Sequence, residues 1–201
     1  AGQTLYMGVR RRLSEALTQD PDDLACALAL ALGAPFALHD PRVAEDVQAV
    51  AGALARPQAG AKLATAAVGM VIAGAQAPDN AVKEASAAAS GAVRQAVDAL
   101  SHRLPHHPVA ALDRARLGVL EATTGEGDAR IDALDRAHGL LEDYEARFGA
   151  TSASRRLRSR VLELRARSGG AGRDIRRDAV AILEAEVADR ALRPKTAGRL
   201  V

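Results

Sequence analysis

Tryptophan is absent from this chain, cysteine occurs once, and aromatic residues are 2% of its 201 positions. The lone Cys26 excludes an internal disulfide framework. It lies in Leu24-Ala25-Cys26-Ala27-Leu28, where a small buried apolar side chain is the expected reading and a reactive thiol the weaker one. The aromatics are Tyr6, Phe36, Tyr144 and Phe148, and with so few aromatic and β-branched residues the chain is poor in strand formers. No run reaches the roughly 18 apolar residues a membrane span needs. Leu63 to Pro78 comes nearest, uncharged but short and rich in Ala and Gly. Arg10-Arg11-Arg12 leads to Glu15 and Asp20, so no secretory signal is expected there and a cytoplasmic location is. The first residue is Ala1 and not Met, from which we expect a trimmed chain or a piece of a longer protein.

Catalytic signatures are equally scarce. No Gly-x-Ser-x-Gly elbow occurs, and Cys26 has no neighbours that would activate it. Gly169-Gly170-Ala171-Gly172 lacks the Lys-Ser/Thr ending of a phosphate loop and follows no strand pattern, so it reads as a turn. His102, His106 and His107 lie close together without a Cys or an acid at ligand spacing, and Pro105 interrupts the one helical pair. The expectation is therefore of no catalytic residue, no metal and no cofactor, with an enzymatic role left open but disfavoured.

What is present is alanine, roughly a quarter of the chain, within a composition 48% hydrophobic and 26% charged. Ala and Leu are strong helix formers. The fold class expected is all-α, with about nine antiparallel helices in a bundle or a short α-solenoid of hairpins. Leu5, Val9, Leu13 and Leu17 form a stripe over Gly2 to Thr18. Asp20-Pro21-Asp22-Asp23 reads as an Asp cap with Pro at the first helical position, and Asp40-Pro41 repeats the signal. Val43, Val47, Val50 and Leu54 then mark one helix face before Pro57. A helix from Gln58 to Gln76 carries only Lys62 as a charge, which places it centrally. Its Gly60, Gly69 and Gly74 are tolerable where a neighbouring backbone comes close. Pro78-Asp79 opens a long helix to about Leu104 with the stripe Val82, Ala85, Ala89, Val93, Ala96 and Leu100.

Pro105 and Pro108 bracket an expected linker, dividing an Ala-rich bundle at 1–104 from two hairpins at 108–193 and a flexible tail at 194–201. Helices are expected over Pro108 to Thr123, Asp128 to Phe148, Ser152 to Arg167 and Arg173 to Arg193. The hairpins echo each other at an offset of 42 residues: Val119-Leu120-Glu121 recurs as Val161-Leu162-Glu163, and Leu140-Leu141-Glu142 as Ile182-Leu183-Glu184. Arg114 to Phe148 resembles a tetratricopeptide repeat, with Leu117-Gly118 in the first helix, Gly125 at the turn and Leu134 and Ala137 in the second. Arg114 and Glu121 replace that family's aromatics, Arg130 a small residue and Glu142 a closing proline. The resemblance implies a helical-repeat scaffold whose groove binds a protein segment.

Charge is unevenly placed around a net +2. Residues 121–149 carry 3 basic and 8 acidic groups, and residues 150–201 carry 13 and 6. Two neighbouring hairpins attracting each other is the plain explanation; a basic face for an acidic partner is the sharper one. The candidate residues for that face are Arg155, Arg156, Arg158, Arg160, Arg165, Arg167, Arg173, Arg176 and Arg177, with Glu163, Asp174 and Asp178 interleaved. Three functions follow. The first is a non-enzymatic scaffold that binds another protein or another part of its parent chain. The second is a small-molecule-binding regulator or enzyme with a pocket between the Ala-rich helices. The third, against which the lack of stacking aromatics speaks, is nucleic-acid binding through the Arg ridge.

Overall fold

The structure, a computed structural model, describes residues 2–56 and 58–168, together with 177, 180–182 and 184. Among these residues every element is helical: α1 Gly2–Gln19, α2 Leu24–Gly33, a 3-10 turn Ala34–Phe36, α3 Val43–Leu54, α4 Ala61–Gly74, α5 Asn80–Arg103, α6 Pro108–Thr124, α7 Gly127–Phe148 and α8 Ser152–Arg167. The expected helix Arg173 to Arg193 falls outside the described residues except for 177, 180–182 and 184, which are helical. The flexible tail also lies outside them; of the second copy of the 42-residue echo, Val161-Leu162-Glu163 lies in α8 and Leu183 falls outside the described residues. The all-α expectation is met, and no described helix is long and apolar enough to cross a membrane.

The punctuation follows local chemistry with one shift. Asp23 and not Asp20 caps α2, its carboxylate accepting from the Ala25 and Cys26 amides at 3.0 Å each. Asp20 accepts instead from the Asp22 amide at 3.1 Å in a turn that contains Pro21. Asp40 likewise holds a turn, accepting from the Arg42 amide at 3.0 Å, and α3 starts only at Val43. Asp79 caps α5 through the Val82 amide at 3.2 Å. Thr151 and Ser154 make a reciprocal capping box at the start of α8.

The chain divides into two compact units, residues 1–120 and 121–201. The division falls inside α6 and not at the expected break between Leu104 and Pro108. The reason is packing: Ala110 and Leu117 of α6 are buried in the first core, and Asp113 is tied to Thr65 of α4.

In the first unit α2 lies against α1, α3 and α4, and α5 lies against α3 and α4. Val43, Val47, Val50, Val68, Val71, Val82, Val93 and Val97 are fully buried with Leu30 and Met70, each side chain contributing about 1.5–3 kcal/mol by burial. The α3 stripe is buried as its spacing predicts. The α1 stripe is buried only in part, at Leu17. Val9 is 41% exposed, and the buried face runs through Tyr6, Arg10 and Leu17, with Leu13 packed at its edge. Arg10 goes inward because α3 presents a carboxylate there.

In the second unit α7 and α8 pair antiparallel. Arg158 Nη1 meets Glu145 at 2.7 Å while Arg165 Nη2 meets Asp135 at 2.9 Å, so positions rise on one helix as they fall on the other. Leu134, Ala137, Leu141 and Tyr144 of α7 and Val161, Leu162 and Leu164 of α8 are buried.

Candidate functional site

An apolar groove lies in the first unit. Leu28, Ala31, Leu32 and Pro35 form one wall at the i, i+3, i+4, i+7 spacing of a helix face. Ala61, Lys62, Thr65, Ala66 and Gly69 of α4 form the other, and His107 and Val109 close one end at the start of α6. The volume is about 700 Å³. The groove exists because α4 presents small residues on this face. No atom lies within 4 Å of where a Gly69 side chain would begin. The opposite side of α4 supplies Leu63, Ala64, Ala67, Val68, Met70 and Val71 to the core. Large apolar groups are left uncovered at the rim: Leu32 is 57% exposed and Val109 41%. Both side chains flank the concave apolar surface.

Polar groups enter the groove at few points. Thr65 Oγ1 donates to Asp113 Oδ2 at 2.8 Å, and Arg116 Nη1 donates to Asp113 Oδ1 at 3.3 Å. Asp113 is 1% exposed and does not line the groove. Burial pushes its carboxyl above the ordinary aspartate range, against the Thr65 hydrogen bond and the Arg116 charge. His107 Nδ1 accepts from the Ala110 amide at 3.4 Å, helping to cap α6. His102 and His106 are exposed. Among the described residues no three His, Cys, Asp or Glu side chains converge as metal ligands would. The groove thus offers apolar contact with a few polar anchors.

A second buried polar cluster lies apart from the groove. Tyr6 donates its hydroxyl to Asp46 Oδ2, and Arg10 Nε donates to the same oxygen at 2.6 Å. Arg10 Nη2 also donates to the Arg42 carbonyl and lies 3.6 Å from Glu45. Asp46 is 0% exposed, and its Oδ1 has no hydrogen bond. Burial raises both the Asp46 carboxyl and the Tyr6 phenol. This cluster fastens α1 to α3 and lines no part of the groove.

Of the arginines singled out by sequence, those of α8 are engaged within the protein. Arg158 pairs with Glu142 at 3.6 Å and Glu145 at 2.7 Å, Arg160 with Glu163 at 2.8 Å, Arg165 with Asp135 at 2.9 Å and Arg167 with Glu163 at 2.5 Å. Arg156 Nη2 lies 3.4 Å from Ser152 Oγ. Arg155 also has its own interactions. Arg177 is helical and exposed, while Arg173 and Arg176 lie outside the described residues. The acidic stretch on α7 therefore meets the basic stretch on α8 directly.

Sequence reasoning singled out α4, its lone Lys62 and its glycines, but not Leu32 or Val109. Their exposure depends on which faces the other helices cover, and no local pattern encodes that. No family model, no curated protein and no solved structure matches this chain.

Proposed function

We propose that this protein is a non-enzymatic helical scaffold whose α2–α4–α6 groove receives the apolar face of a helix from another protein or from another part of its parent chain. The observation that carries this reading is the open, apolar groove with Leu32 and Val109 uncovered at its rim. A guest helix with apolar residues at i, i+3, i+4 and i+7 would lay them between the walls. The lone cysteine suits a reducing cytoplasm.

A photo-crosslinking amino acid placed at Leu32 or Val109 should capture a partner that the same group at exposed Ala88 of α5 does not. Gly69→Leu, which fills the groove from open space, should abolish that capture without changing the circular dichroism spectrum. Equal capture from position 88, or capture that survives Gly69→Leu, would remove the reading.

A second reading rests on size. A volume of about 700 Å³ lies within the range of about 300–1,000 Å³ for small-molecule sites. An apolar fluorescent dye that binds the groove and is not displaced by the captured partner would favour it.

A further inference from the structure

We propose that a second cavity, between the C-terminal end of α3 and one face of α5, is a binding site for a small organic anion. The cavity measures about 270 Å³, room for roughly nine waters at about 30 Å³ each. It is separate from the groove and shares no residue with it.

The α5 wall is a single helix face, Ala92, Ala96, Ala99 and Arg103 at i, i+4, i+7, i+11, with Gln95 beside it. Alanine at three of those positions leaves the void, and Leu54 and Leu100 make it apolar at depth. Its charge is of one sign. Arg56 and Arg103 are the only ionisable residues among those lining it. Asp98, the acid on this half of α5, is already engaged by Arg114 at 3.0 Å. The Arg103 guanidinium makes no ion pair or hydrogen bond to another described residue. Arg56 pairs with Asp22 at 3.2 Å, but the two side chains are 45% and 68% exposed, and exposed pairs hold weakly.

Two guanidiniums in a lining that has no acid, beside the apolar Leu54 and Leu100, fit an oxyanion that carries hydrocarbon. The oxyanion takes paired N–H donors from arginine. The hydrocarbon, a chain of a few carbons, lies along Leu54, Ala96 and Leu100. Carboxylate and phosphate monoester heads share this chemistry.

The test is a nuclear magnetic resonance titration of the full chain with hexanoate, hexyl phosphate and hexylamine. Either anion should shift the amides of Leu54, Ala92, Ala96 and Ala99 saturably, and hexylamine should not. The tighter anion identifies the head group, and both results support the site. Arg103→Gln, an exposed change that leaves the core intact, should weaken anion binding about tenfold or more. Ala96→Leu should abolish binding with both arginines in place. No saturable shift with either anion, equal shifts with hexylamine, or unchanged binding in both Arg103→Gln and Arg56→Gln would overturn the assignment. The same spectra verify that each variant is folded.

Discussion

Gly74 of α4 lies so close to Ser86 of α5 that a side-chain carbon at position 74 would stand 1.9 Å from Ser86 Oγ and 2.9 Å from its Cβ. Glycine is therefore the residue that lets these helices meet. Gly69, one turn earlier, faces open space. Alanine at the two sites should act with opposite sign. Gly74→Ala, at the last residue of α4, gains less than the roughly 1 kcal/mol of an interior helix position but forces an overlap costing about 1–3 kcal/mol, for a net loss. Gly69→Ala keeps the gain of about 1 kcal/mol alone. Urea denaturation of the two variants measures both signs.

Asp46 should be among the costliest side chains to remove. Asp46→Ala leaves the Arg10 guanidinium and the Tyr6 hydroxyl buried without their acceptor, a loss of about 3–5 kcal/mol. Tyr6→Phe removes one donor and leaves the ion pair, so its cost is about 1 kcal/mol. Thermal or chemical unfolding should rank them in that order.

Asp113 gives a pH dependence opposite to that of a surface carboxylate. Its folded value is raised above the ordinary 3.8 by burial. Between those two values the folded state holds the proton that the unfolded state has released, so its contribution to stability falls as pH rises through the window and then levels off. Asp113→Asn keeps an acceptor for Thr65 and has no charge to bury. Relative to the parent, the variant should therefore gain stability as pH rises above 3.8 and through the folded-state value of Asp113. A variant that loses ground over that interval would contradict the sign.

Cys26 should react slowly. The carboxylate of Asp23 and partial burial push its thiol from 9.0 up to about 11. Two units less acidity leaves about a hundredfold less thiolate at mildly alkaline pH, and the thiolate is the nucleophile. Alkylation of the folded chain should lag that of the denatured chain by about that factor.

The helices were legible because their determinants are local. Asp79 caps α5, Thr151 caps α8, and the face Val43, Val47, Val50, Leu54 is buried as spaced. The α1 face was misread at Val9 because an apolar count does not see that Arg10 can be buried, 7% exposed, once Asp46 receives it. Asp20 was taken for the cap that Asp23 provides, since both acids follow the same local rule and only the turn geometry separates them. Ala96, expected in the buried stripe, is half-buried because it borders a cavity.

Composition and spacing alone settled that the described residues are helical and where most of their helices begin and end. Those outcomes depend on propensities and caps acting within a few residues. Tertiary structure decided where the two units divide, which small residues meet a neighbour and which border empty space, and which charges are neutralised. Each of those turns on which face of one helix meets another far away in the chain, and no stretch of sequence carries that information by itself.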